Sequence, residues 1–351
     1  MLKALAPSLT RLCWHSGLLR GFQHLAEETQ LRRRADGPPI FPYISKRRAP
    51  NFQILTYHRL TVSHDPFFPG LSAEVFAQHV RFLSENYCLV DLGHLVRDLR
   101  SGQPIPSNAV ALTFDDGYRD NFDLAFPILR QYQAPATIFL TTGFVGGNNA
   151  LWNDKVSFSL RQTRCRHLSF AYHGEHYYPL VTIEDRLSAS EKLRTLLRQV
   201  PHADRLAIMG DLFAQLHVDS FQDIGGDALT WDQVRQMKKN RISFGAHTVT
   251  HPILSHLPLC DAKREILESK QKIEQELDTP VELFAYPDGG PGTFDDAIIN
   301  IVREAGFTAA VTTMFGTNTA RTNCYNLRRS GLVETELPAF AGKLCWYKFA
   351  L

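Results

Sequence analysis

The chain has 351 residues, of which 44% are hydrophobic and 21% charged, with 22 Gly and 19 Pro. These proportions allow a substantial buried core and exclude disordered and collagen-like chains. The net charge of +2 hides an imbalance: residues 1–50 carry nine Lys or Arg against three acids, and the rest of the chain 29 against 33. Basic character is therefore local, in short clusters without interleaved aromatic platforms, and no nucleic-acid partner is expected.

Residues 1–50 combine an amphipathic helical stretch (Leu2, Leu5, Leu9, Leu12, Leu18, Leu19, Phe22, Leu25) with a basic, proline-containing connector, RRRADGPPIFPYISKRRAP. Arg11, His15 and Arg20 interrupt the apolar run expected of a signal peptide. No stretch approaches the roughly 20 apolar residues of a membrane-spanning helix. The segment reads as an extension that either docks on an anionic membrane surface or lies as a solvated arm. The six cysteines show no CxxC pair, arguing against a disulfide framework or zinc ribbon. The resulting expectation is a cytoplasmic protein, peripheral on the inner membrane if the extension docks.

From residue 51 onward, β-type runs alternate with helical patterns. The runs are QILTYHR (53–59), NAVALTFDDG (108–117), PATIFLTTG (135–143), RISFGAHT (241–248), LFAYPDGG (283–290), AAVTT (309–313) and YNLRRSGL (325–332). Helices are predicted from Ser72, Thr230 and Asp261, each with an N-cap residue. Strand–helix alternation implies parallel pairing, and near-continuous apolar interiors such as ATIFL imply burial on both faces. The prediction is an α/β fold, a (β/α) barrel of about seven parallel strands over residues 51–351. Residues 150–229 break the alternation and read as an insertion over the barrel mouth. Asp115, Asp116, His247 and Asp288 fall at the C-terminal ends of their strands, where barrel active sites are built.

In TFDDGY (Thr113–Tyr118), adjacent carboxylates on an extended strand would face opposite ways, but Gly117 permits a turn that aims both into one cavity. Such a pair suits cation binding by one acid and proton transfer by its neighbour, although a loop with a helix cap explains it equally well. The chain contains a control, TFDDA at 293–297, without the glycine or the preceding strand. There Thr293 reads as an N-cap and Asp295 and Asp296 as first-turn acids, with no catalytic role. In HTVTH, His247 and His251 can turn both imidazoles toward one ion. An Asp/His/His set leaves coordination positions open for water and substrate, and admits zinc foremost, or cobalt, nickel, manganese or iron.

TFDDG, then HTVTH followed by PILS, then FAYPDGG, in this order after strands, resemble the successive motifs of the polysaccharide deacetylases, carbohydrate esterase family four, over about residues 51–335. The resemblance implies a distorted (β/α) barrel that binds one divalent metal through Asp116, His247 and His251. It implies Asp115 as catalytic base and the Asp288 backbone N–H as oxyanion donor, in hydrolysis of N-acetyl groups on an amino-sugar polysaccharide or glycolipid. Two departures stand out. The arginine of the third motif is replaced by Ala285, and Arg328 or Arg329 is expected to orient Asp115 instead. No histidine follows His256, but LTYHR resembles the YH element of the exopolysaccharide-associated subgroup, which makes His58 the expected general acid. Tyr118, Tyr286 and Trp152 are candidates for a sugar-binding groove, with core packing as the other reading; His64, His79, His94, His173 and His176 are read as structural. O-acetyl esterase, deformylase of a lipid-linked sugar, and a catalytically decayed saccharide-binding protein remain alternative functions.

Overall fold

A computed structural model describes residues 51–349 apart from 148 and 226; the expected extension at 1–50 lies outside the described residues. The barrel strands are β1 (Asn51–Tyr57), β2 (Ala109–Phe114), β3 (Ala136–Leu140), β4 (Ile242–Ala246), β5 (Leu283–Ala285), β6 (Ala309–Val311) and β7 (Ser330–Gly331). From β1 to β6 each pairs in parallel with the next, and β7 pairs in parallel with β1. Beside β7, Leu327 forms a parallel bridge with Val311, so the segment 327–331 spans the gap between β6 and β1.

Contact is thin there, and between β4 and β5 it is reduced to the Phe284/Ala246 pair. These two weak seams make the barrel distorted. The last strand is also much shorter than the sequence predicted, because Cys324–Asn326 form a 3₁₀ turn before it.

The two-residue period of the strands divides their side chains between two cores. Phe52, Ile54, Ala109, Ala111, Phe139, Leu283, Ala309 and Val311 share one apolar cluster with Leu92, Leu95 and Val96. The alternate residues Leu55, Val110, Leu112, Phe114, Ile138, Leu140 and Phe284 join the cluster beneath the outer helices. Cluster one is the barrel interior, closed at its N-terminal end by the helix that carries Leu92. The opposite, C-terminal end is left for polar residues.

The longer α-helices are α1 (Ala73–Asn86), α2 (Leu92–Ser101), α3 (Phe126–Gln131), α4 (Trp152–Gln162), α5 (Ile183–Gln199), α6 (His202–Gln215), α7 (Trp231–Lys238), α8 (Leu259–Leu277), α9 (Asp296–Glu304) and α10 (Leu337–Phe349). Ser72 caps α1, and Thr230 with Gln233 forms a capping box on α7, as their sequences predict. Two caps differ from expectation. Helix α8 starts at Leu259, with Pro258 rather than Asp261 at the cap, since the proline ring already sets an entry φ of −54°. Helix α9 is capped by Asp295, whose side chain accepts from Ile298 N at 2.9 Å, while Thr293 bonds back to Gly290 O. Among the described residues no helix is long and apolar enough to cross a membrane.

Helices α4 to α6 and the hairpin His167–Ala171/Glu175–Pro179 lie between β3 and β4 and build their own apolar cluster, which includes Trp152, Leu193, Leu212 and, from the β1–α1 loop, Phe67. The segment read as an insertion is thus a subdomain with its own core, clamped to the barrel by Phe67.

His79 in α1 is fully buried, stacked on Phe340 of α10 at 3.7 Å with its Nε2 2.9 Å from Glu334 O. Burial lowers its pKa to about 4. An unfolded histidine takes up its proton near 6.5, so between about 6.5 and 4 the unfolded chain binds more protons and stability falls as pH falls. The loss expected across that window is about 3 kcal/mol from this ring alone. Thermal melts should drop steeply over it, and His79→Gln should be less stable at pH 7 yet show a flatter pH dependence.

Candidate active site

At the end of β2 the backbone leaves the extended conformation at once: Asp116 has φ 75° and Gly117 φ 89°. This left-handed step cancels the strand alternation, so Asp115 and Asp116 both face the barrel mouth. Gly117 is required here, because a Cβ would lie 2.6 Å from Val145 Cγ2. On β4, HTVTH forms a compact loop in which Thr248 (φ 65°) and His251 (φ 57°) are also left-handed. For a β-branched threonine that conformation costs on the order of 1–3 kcal/mol. Glu265 of α8 holds the loop by accepting from Val249 N (2.7 Å), Thr250 N (2.9 Å) and the Thr250 hydroxyl (2.7 Å).

The result is a tight cluster. Asp116 Oδ1 lies 3.6 Å from His247 Nε2 and 3.4 Å from His251 Nε2, with all donor atoms of the trio within 4.8 Å of one another. His247 Nδ1 lies 2.7 Å from the Ala285 carbonyl, which fixes that nitrogen as the donor and leaves the Nε2 lone pair for a ligand. Burial brings the His247 pKa down to about 4; burial and the neighbouring His247 bring His251 to about 3, so both rings are neutral. Burial and the negative charges of Asp115, Asp154 and Asp288 push the Asp116 carboxyl well above the usual carboxylate range. Asp116 Oδ1 is buried without a hydrogen-bond partner. A buried, unsatisfied carboxylate oxygen facing two neutral imidazoles is costly unless a cation sits among them, so the residues fit a divalent metal.

Asp115 has a different partner. Arg329, 1% exposed, grips both its oxygens, Nη1 to Oδ1 at 2.7 Å and Nη2 to Oδ2 at 2.6 Å, and donates from Nε to Thr312 O at 2.8 Å. Burial alone would raise the Asp115 carboxyl; Arg329, with the nearby imidazoles, instead holds it well below the usual carboxylate range. Arg328 is exposed, and its backbone pairs with Asn318. Of the two arginines considered, only Arg329 reaches Asp115, because adjacent residues on extended backbone face opposite ways. His58 follows β1 with its ring half exposed and its Nε2 3.7 Å from Asp115 Oδ2. Asp288 follows β5 with φ 56°, and among the described residues no acceptor meets its backbone N–H.

A sequence profile of the polysaccharide deacetylases matches residues 102–310. The chain belongs to this family. Similarity to individual deacetylases is more partial. The poly-β-1,6-N-acetyl-D-glucosamine N-deacetylase of Escherichia coli K12 is 33% identical over 87 residues, 24% of this chain but only 13% of that protein. Among solved structures, a Streptococcus pyogenes deacetylase, PplD, in complex with acetate superposes with a TM-score of 0.57 at 20% identity, covering 85% of this chain and 99% of that one. IcaB from Ammonifex degensii gives 0.55 at 17% identity, covering 86% and 98%. At such identities the superpositions establish the shared fold.

Three aromatic candidates are buried. Tyr118 is 2% exposed, with its hydroxyl on Asp154 at 3.0 Å and Arg59 over its ring at 4.4 Å. Tyr286 is fully buried, stacked on Phe294 at 4.1 Å, and Trp152 is 8% exposed beneath Arg205 at 5.0 Å. Their faces are covered by protein, so none is left to stack on a sugar. Tyr118 instead belongs to a buried polar knot: Arg59, next to His58, bonds Asp227 at 2.8 Å and approaches Asp154 at 3.9 Å, tying both ends of the insertion to the mouth. Arg59, Glu265 and the Ala285 carbonyl were not singled out from the sequence, since none stands in a recognisable pattern.

Removing one partner of a buried ion pair leaves an uncompensated charge, worth roughly 3–5 kcal/mol. Arg329→Ala should lose about that much in denaturant unfolding, whereas Arg328→Ala should stay within about 0.5 kcal/mol of wild type. Equal effects of the two would contradict the assignment of Arg329.

Proposed function

We propose that the protein is a metal-dependent deacetylase that removes N-acetyl groups from an amino-sugar-containing polysaccharide or lipid-linked saccharide. The observation that carries this reading is the division of the two adjacent acids, with Arg329 holding Asp115 while Asp116 faces His247 and His251. A nitrogen-rich set with one carboxylate suits zinc, and a divalent ion held there supplies Lewis acidity to water and to the acyl carbonyl.

The remaining chemistry falls to the chain. Asp115, ionised and locked by Arg329, takes a proton from the attacking water as its oxygen bonds the acyl carbon. The backbone N–H of Asp288 points its dipole at the oxygen where negative charge develops. As the C–N bond breaks, His58 at the rim gives a proton to the departing amine, and acetate leaves. Arg329 keeps Asp115 charged and aligned at some cost in basicity, the same function that the missing third-motif arginine would serve.

Retention of Asp115, Asp116, both histidines and a substitute arginine favours an enzyme over a decayed saccharide binder. With a divalent ion present, acetate should be released from N-acetylglucosamine oligomers, and chelation followed by readdition of zinc should abolish and restore it. Asp115→Asn and His58→Ala should each lower kcat by about 10²–10⁴ while leaving metal content unchanged. Full turnover in either variant would remove that residue from the mechanism, and release only from O-acetylated sugars would make the protein an esterase.

A further inference from the structure

Helix α5 of the insertion carries a polar face that neither its own core nor the mechanism uses. A cavity of about 650 Å³ runs along it, lined by Glu184, Glu191, Arg194, Thr195 and Arg198, with Pro66 of the β1–α1 loop as facing wall. The spacing of these helical residues places them on one side of α5, while Leu193 and Leu197 pack into the insertion core. From Glu184 to Arg198 the helix rises about 21 Å.

One end of this groove is at the active site. Arg198 Nε lies 3.1 Å from Asp288 Oδ1, on the turn whose N–H faces the developing oxyanion. Arg194, half-buried, donates its Nε to Ser190 O at 3.3 Å, and among the described residues neither it nor Glu184 or Glu191 takes part in an ion pair. Arg198 is thus engaged by Asp288, while the carboxylates of Glu184 and Glu191 and the remaining guanidinium N–H groups of Arg194 can meet a ligand. Two acids and two bases along one face cancel in charge, which disfavours a polyanion or polycation. Planar guanidinium and carboxylate groups suit hydroxyl pairs, since each offers two donors or two acceptors side by side. Leu187, which also lines the cavity, and Pro66 offer apolar surface for ring faces.

We propose that this groove binds the neighbouring units of a linear, uncharged saccharide whose acetylated residue sits at Asp116, His247 and His251, with Arg194 and Glu191 reading hydroxyls. The proposal rests on the deacetylase reading and narrows its substrate class to oligomers several sugars long. Arg194 is a specificity-determining residue that touches no reacting atom.

The test compares N-acetylglucosamine disaccharide and pentasaccharide, in β-1,4 and β-1,6 linkage, on wild type, Arg194→Ala and Glu191→Ala. For wild type, kcat/KM should rise about tenfold or more from the shorter to the longer substrate. In the variants that gain should vanish while the thermal melt, which reports correct folding, stays as in wild type. No gain in wild type, or a gain retained in both variants, overturns the groove. Calorimetric titration with the pentasaccharides separates this idea from the catalytic one. Binding weakened at least tenfold by Arg194→Ala upholds the groove even if no acetate is released. Acetate release with equal affinity of wild type and Arg194→Ala overturns the groove and leaves deacetylation standing, and absence of pentasaccharide binding by wild type overturns the groove as well.

Discussion

The site depends on how two adjacent aspartates are kept from doing the same thing. Asp115 and Asp116 share one buried cavity and would repel one another if both stayed charged without compensation. Arg329 resolves this by committing a fully buried guanidinium to both oxygens of Asp115. Among the described residues Asp116 faces two neutral imidazoles and makes no ion pair with a lysine or arginine, so the trio fits a divalent metal ion. The two acids are thus distinguished by their neighbours and not by their own chemistry.

The barrel exists in large part to bring those neighbours together. Asp115 comes from the end of β2, the imidazoles from β4, and Arg329 from the segment beside β7 that bridges β6 to β1. That seam is the thinnest part of the sheet, and the bidentate ion pair from Arg329 to Asp115, with the Thr312 and Thr113 contacts, fastens it across the interior. The same side chain therefore serves closure of the fold and orientation of Asp115. Left-handed backbone at Asp116, Thr248, His251 and Asp288 places strain at the mouth, where the rigid barrel can hold it.

Features set by local pattern were legible in the sequence. The strand runs, the parallel barrel and the acid and histidine pairs were all visible, because apolar runs ending in polar residues carry both fold and site. Features that could not be read depended on contacts distant in sequence. Arg328 and Arg329 are equivalent as letters, and only the strand alternation beside Thr312 decides which one turns inward. Tyr118, Tyr286 and Trp152 look like sugar platforms when read singly, but the knot around Arg59 and the packing of the insertion cover them. Glu265, 14 residues beyond His251, and Arg198, 90 residues before Asp288, support the site without any motif that marks them.

The most direct measurement of the central claim is anomalous diffraction from crystals grown with zinc. The account predicts one strong peak within bonding distance of Asp116 and the Nε2 atoms of His247 and His251, with Asp115 still gripped by Arg329 and outside the coordination sphere. A peak elsewhere, or one ligated by Asp115 with its arginine displaced, would contradict the division of roles on which the mechanism stands.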